Sequence, residues 1–216
     1  INDMFLKRPE CIICKQSNFK KVFNSSFIEN NIKDYLINYY NQKNFDLMEN
    51  QIKNNFFSLN KCEECNFLWQ ENVPDGEFLD DLYENYIDKN ASLKKSLAHS
   101  QIRRDSFIIE FNKIKKRFNK DVSKINVLDF GCGWGNWALH AKNYGFNVFV
   151  LEVSKSRIAH LKEGNLKLIN NINDNYYKDF FHHIRCEQVI EHLTHLDEMV
   201  IIMNSLLTKR GVLMVS

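Results

Sequence analysis

Residues 125–135 read Ile-Asn-Val-Leu-Asp-Phe-Gly-Cys-Gly-Trp-Gly. Ile125–Phe130 is an apolar run of strand length, and Gly131, Gly133 and Gly135 follow it directly. From Trp134 to Tyr144 the spacing is helical. A strand that passes through glycines into a helix turns tightly and lets a ligand approach where a Cβ would block it. A dinucleotide fingerprint, G-x-G-x-x-G, needs a glycine at position 136, but Asn136 stands there, which disfavours a nicotinamide dinucleotide. The pattern is instead D-x-G-x-G-x-G. Asp129, two residues before the first glycine, suits a ligand bearing an ammonium group better than a pyrophosphate.

Downstream, strand-like and helix-like segments alternate. Phe146–Glu152 predicts a second strand, and Ser154 caps a helix running to Glu163. Leu166–Ile169 predicts a third strand, Ile184–Val189 a fourth, Asp197–Leu207 a helix, and Gly211–Ser216 the start of a fifth strand. Such alternation implies an α/β fold with a doubly wound, mostly parallel sheet. Glu152 ends the second strand, where a carboxylate can accept hydrogen bonds from both hydroxyls of a ribose.

Upstream, four of the six cysteines form two pairs, Cys11-x-x-Cys14 and Cys62-x-x-Cys65. Two such pairs offer the four thiolates of a closed, structural Zn2+ site, and a redox role would leave one pair unexplained. Pro74-Asp75-Gly76 after the second pair is a turn signal. Between the pairs, residues 27–57 read as helical, with Ile32, Tyr35, Leu36 and Tyr39 on one face. Residues 93–118 predict a long amphipathic helix with Phe107, Phe111, Ile114 and Phe118 on its apolar face. Its other face carries Arg103, Arg104, Lys113, Lys116, Arg117 and, just past the end, Lys120. That face reads either as solvated or as a contact surface for an anionic partner. The predicted organisation is a zinc-binding segment with a helical insert over 1–76, a helical linker over 77–120, and a ligand-binding α/β domain over 121–216.

Composition bounds the function. Apolar residues make up 44% and charged residues 26%, which excludes collagen-like and disordered chains. No apolar run approaches the ~18 residues of a membrane span. The net charge of +2 is far from that of a typical nucleic-acid-binding domain, although residues 94–124 hold ten basic and three acidic residues. The expected location is cytoplasmic, and an intracellular protein would keep its cysteines reduced, which favours metal over disulfides.

Val-Leu-Asp-Phe-Gly-Cys-Gly-Trp-Gly over 127–135, the acid Glu152, Gln188-Val-Ile-Glu-His-Leu193 and Leu206-Leu-Thr-Lys-Arg-Gly211 resemble the class I S-adenosylmethionine-dependent methyltransferases. The resemblance implies S-adenosylmethionine as cofactor. Gly131, Cys132, Gly133 and Gly135 would surround its methionine part, Asp129 its amino group and Glu152 its ribose. Val153, Asn171 and Gln188 would complete the cofactor site. The zinc segment with Leu82-Tyr83-Glu-Asn-Tyr86 resembles the N-terminal zinc domain of one group of these enzymes, which act in polysaccharide, sugar-nucleotide or natural-product biosynthesis. That group would bring Tyr83 and Tyr86 over the cofactor pocket and implies a saccharide or other small-molecule acceptor. A zinc-containing RNA methyltransferase and a non-catalytic S-adenosylmethionine-binding module are the alternatives, and the acidic zinc segment speaks against RNA.

His192, with Glu191 beside it, is the candidate general base, because ligands of open α/β sheets sit at the carboxyl ends of the strands. A histidine that merely caps the next helix is the plain alternative, and His182, His183 and His195 are nearby in sequence. The family has seven strands and these residues reach the fifth. The sequence therefore predicts a further C-terminal part that carries some acceptor-site residues.

Overall fold

The structure is a computed structural model that describes residues 4–216. The chain divides into two compact units, residues 1–88 and 89–216. The predicted linker over 77–120 is therefore split. Its first part belongs to the N-terminal unit because Phe78 and Tyr86 are buried in that unit's core with Phe5, Phe45, Met48 and Ile52.

In the N-terminal unit, β1 (Phe5–Lys7) and β2 (Phe19–Ser26) precede helices α1 (Asn30–Tyr40) and α2 (Gln42–Ile52). Then come β3 (Phe56–Cys62), β4 (Leu68–Gln70), β5 (Asn72–Pro74) and α3 (Gly76–Asp81), which runs on into a π-helical turn over Leu82–Tyr86. β2, β3 and β4 form an antiparallel sheet, and β1 pairs with β5. The single helical stretch predicted over 27–57 is broken at Asn41. That residue has φ +68° and its side chain accepts the Asn44 N–H to cap α2. Its last residues, Phe56 and Phe57, belong to β3 because they pair with Ser26 and Ser25 of β2.

The C-terminal unit opens with α4 (Lys89–Phe118), whose Phe107, Phe111 and Ile114 are buried at the predicted spacing. Next are β6 (Asn126–Phe130), α5 (Asn136–Tyr144), β7 (Asn147–Leu151), α6 (Lys155–Glu163) and β8 (Lys167–Leu168). β9 (Phe181–Cys186), α7 (Leu196–Leu206) and β10 (Leu207–Val215) follow. All pairings are parallel in the order β10-β9-β6-β7-β8, so the sheet is wound outward in both directions from β6. Val127, Val148 and Val150 face a core with α4, α5 and α6, while Leu128, Phe149 and Ile184 face a core with α7. This alternation is the strand period of two, applied to a sheet covered on both sides.

The last two strands differ most from the sequence prediction. The fourth strand starts at Phe181, not Ile184, and ends before Val189, because His183 pairs with both Val127 and Val212. The fifth begins at Leu207, directly after α7, with an irregularity before Val212. Among the described residues, no helix is long and apolar enough to cross a membrane.

Candidate active site

β6 delivers the chain to the carboxyl rim of the sheet, where Gly131, Gly133 and Gly135 take φ of +67°, +57° and +75°. The three glycines do different work. A Cβ on Gly131 would lie 2.5 Å from Val189, and one on Gly135 would lie 2.4 Å from Leu161. Those two positions need glycine for packing as well as for backbone conformation. At Gly133 a Cβ would meet nothing within 4 Å, so this stretch of backbone borders open space.

Glu152 sits just past β7 and holds the loop in place. Its carboxylate accepts the N–H groups of Gly133 (2.8 Å), Val153 (2.9 Å) and Ser154 (2.9 Å), with the Arg157 guanidinium 3.7 Å away. The Leu151 carbonyl accepts the Gly131 and Cys132 N–H groups. Burial drives the Cys132 thiol far above its ordinary range, so it stays protonated.

Asp129 is buried at the base of the loop. It faces Arg185 Nη1 at 3.7 Å and accepts the Ala138 N–H. Burial pushes its carboxyl up to about 7 although Arg185 pulls it down. Arg185 also bonds Glu187, and Glu187 accepts two hydrogen bonds from Arg103 of α4, at 2.6 and 2.9 Å. Burial opposes ionisation of Glu187, but the bond from Arg103 and the charge of Arg185 hold its carboxyl below the usual range. Asp129, Cys132, Arg103, Arg185, Glu187 and Ser100 are among the lining of a cavity of about 160 Å³.

The α4 side of this site was not read from the sequence. Ser92 accepts the Trp134 Nε1–H, Ser96 accepts the Asn136 amide through its hydroxyl and carbonyl, and Ser100 bonds His140. The spacing of four in Ser92, Ser96 and Ser100 is the signal that was available: one helix face that ends at Arg103. Arg103, on the basic face that reads either as solvated or as a contact surface, stays partly exposed and pairs with Glu187.

The remaining predicted residues are placed as follows. Val153, Asn171 and Gln188 lie exposed beyond the carboxyl ends of β7, β8 and β9. The Asn171 side chain accepts the Asn173 N–H, and the Gln188 N–H donates to the Ser216 carbonyl. Glu191 and His192 form an exposed 3-10 turn after β9, with His192 Nε2 3.9 Å from Glu191 Oε1. His195 precedes α7 on the same side, whereas His182 accepts the Asn126 N–H at the amino end of β6. Burial, then Lys120, hold His182 below its ordinary range, and its position removes it from the rim. Tyr86 is committed to the N-terminal core, where its hydroxyl donates to Gln51, and Tyr83 lies on the π-helical turn of that unit.

In the N-terminal unit the sulfurs of Cys11, Cys14, Cys62 and Cys65 all lie within 4.8 Å of one another. Cys11–Cys65 and Cys14–Cys62 are 3.6 and 3.5 Å apart. Tetrahedral zinc with bonds of about 2.3 Å sets sulfurs about 3.8 Å apart, so the cluster fits that ion. The Cys65 N–H, and after it that of Glu64, brings the Cys62 thiol down to about 7, toward the thiolate that a metal needs.

A glycine loop at the switch point of a parallel sheet, with one acid beneath it and a second at the end of the next strand, defines a Rossmann-like small-molecule-binding α/β domain. Residues 101–216 match the family described as "Methyltransferase domain". This is more than half of the chain, and the chain belongs to that family. A relative named ubiquinone biosynthesis O-methyltransferase, from Rickettsia bellii (strain OSU 85-389), is 30% identical over 124 residues, covering 51% of this chain and 48% of the relative. One of the same name from Rickettsia prowazekii (strain Madrid E) is 27% identical over 150 residues, covering 65% and 57%. The chain spans about half the length of the curated relatives it matches. Among solved structures, PKMT2 from Rickettsia typhi in complex with AdoHcy is 26% identical and covers 48% of this chain and 23% of that one, with a TM-score of 0.39.

Proposed function

We propose that the C-terminal unit binds S-adenosylmethionine and directs its methyl group to a hydroxyl of a small polar acceptor of the saccharide or sugar-nucleotide class. The observation that carries this reading is the polar cavity between the glycine loop and α4, bordered by Asp129, Ser100 and the Arg103–Glu187 pair. When bound, the cofactor supplies a methyl group made electrophilic by its sulfonium. Asp129 receives the amino group, and Glu152 keeps a lone-pair position for a ribose hydroxyl beyond the three N–H groups it accepts. The adenosine side belongs to Val153, Asn171 and Gln188. His192 takes the proton of the attacking hydroxyl, and Glu191 steadies the resulting imidazolium.

Cys11, Cys14, Cys62 and Cys65 hold a structural Zn2+ with no open position, which ties the loop after β1 to the turn after β3. The relatives are named for O-methyl transfer in ubiquinone biosynthesis, which favours a second acceptor class, a hydroxyl on a quinone precursor, with phenols as simple probes. An RNA acceptor is weakened because Arg103 and Arg117 are engaged within their own unit, with Glu187 and the Arg210 carbonyl. The test is product mass spectrometry with S-adenosylmethionine against panels of nucleotide sugars, glycans and phenols. A one-methylene mass gain on a sugar supports the proposal. A gain confined to phenols sinks the saccharide assignment.

A further inference from the structure

β9 is buried along its whole length, yet it carries charge. His183 and Arg185, with Glu187 just beyond, follow one another at the two-residue period that puts side chains on one face of a strand. The Arg185 guanidinium lies over the rings of Phe107 and Trp137, at 5.8 and 5.3 Å. It reaches Asp129 at 3.7 Å, Glu110 of α4 at 3.8 Å, and Glu187 directly. Glu187 is also held by Arg103. His183 stacks on Trp137 and lies 3.4 Å from Glu110. His99 from α4, Cys132 from the loop and the Ala138 N–H from α5 complete the polar surroundings.

Three carboxylates, Asp129, Glu110 and Glu187, stand against two guanidiniums, Arg103 and Arg185, so the guanidiniums alone leave the cluster one positive charge short. Buried Arg185 Nε, Glu110 Oε1 and His183 Nε2 make no hydrogen bond, so the cluster does not satisfy itself. A buried charge left over in this way is costly until a counter-ion or a proton meets it.

We propose that Arg185 is a positioning residue for the cofactor: it holds Asp129 at the base of the glycine loop within a cluster one positive charge short, and the cofactor's ammonium group supplies that charge. This rests on the reading of the site as an S-adenosylmethionine pocket. Before the ligand arrives, a proton on Asp129 meets the same deficit, consistent with the carboxyl being pushed up to about 7 by burial. Binding below that pH breaks the Asp129 O–H bond and releases the proton to solvent, so affinity and proton release are linked.

The experiment is calorimetric titration of the full chain with S-adenosylhomocysteine, which carries the same ammonium group, from pH 5.5 to 8.5 in buffers of differing ionisation enthalpy. Affinity should fall about tenfold per pH unit below about 7 and level off above it, with close to one proton released on the low side. Arg185→Met should move the levelling point up by more than a unit, and Arg185→Lys should bring it part of the way back. Glu187→Gln, on the rim of the cluster, removes one negative charge and should move it down even if the Arg185 variants fold poorly. His183→Gln should leave the linkage in place. A pH-independent affinity, an unmoved levelling point in Glu187→Gln, or loss of the linkage in His183→Gln overturns the assignment. Failure to bind at any pH would instead overturn the cofactor reading on which it rests.

Discussion

Asp129→Asn should make the ligand-free protein more stable at pH 8 while removing its capacity for the cofactor. The Asp129 carboxyl is completely buried and sits at about 7 instead of its ordinary 3.8. The folded state therefore holds this proton more tightly than the unfolded chain does. Stability from this residue is fully present below pH 3.8 and is lost as the pH rises through about 7. A shift of this size corresponds to about 4 kcal/mol between the acid limit and pH 8. Asparagine keeps the shape and can still accept the Ala138 N–H, but it never ionises. At pH 5, about one unit above the ordinary value, the variant should already lead by about 1.6 kcal/mol, and the gap should close only as the pH falls below 3.8. By pH 8 the variant should melt higher by on the order of 10 °C, less whatever Arg185 loses when its anionic neighbour goes. Thermal melts of both proteins across pH 5–8.5, followed by circular dichroism, measure this directly. A variant destabilised equally at every pH would refute the reasoning, because it would mean that Asp129 contributes packing and not buried charge.

Three further outcomes follow from the same geometry. Gly135→Ala drives a Cβ to 2.4 Å from buried Leu161 and should cost about 1–3 kcal/mol in denaturant melts, whereas Gly133→Ala, which meets nothing, should cost about 1 kcal/mol yet weaken S-adenosylhomocysteine binding. Glu152→Gln turns an amide toward three N–H groups and should lose about 1–3 kcal/mol together with at least about tenfold in cofactor affinity, checked by melts and calorimetry side by side. Elemental analysis should find one zinc per chain, lost in Cys62→Ser along with the chelator-sensitive part of the melting transition; an unchanged metal content in that variant would remove Cys62 from the site.

What the sequence made legible is local. Ile125–Gly135 predicts the strand, the loop and the start of α5 because apolar run, glycines and helical spacing are neighbours in the chain. Ser154 was readable as a cap, and its hydroxyl accepts the Arg157 N–H. The four cysteines declared themselves by spacing, and β3 and the loop after β1 bring their sulfurs together. The misread parts depend on distant partners. Phe56 and Phe57 carry no mark of the strand that Ser25 and Ser26 make of them across some thirty residues. His182 and His183 fall outside the strand predicted from Ile184, and only Val127 and Val212 on either side of His183 place them in it. The same holds for charge. Arg103 on a basic helix face looks solvated, and only the fold brings Glu187 to it, 84 residues later. The buried cluster around Arg185 draws on α4, β6 and β9, so no window of sequence contains it.

The central claim is that Asp129, the open backbone at Gly133, and Glu152 form a site for an adenosyl cofactor. Calorimetric titration of the full chain with S-adenosylhomocysteine at pH 8, where Asp129 is ionised, tests it most directly. The site described here predicts saturable binding of one ligand per chain in the micromolar range, abolished in Asp129→Asn. Absence of binding in folded wild-type protein, or unchanged affinity in Asp129→Asn, would contradict it.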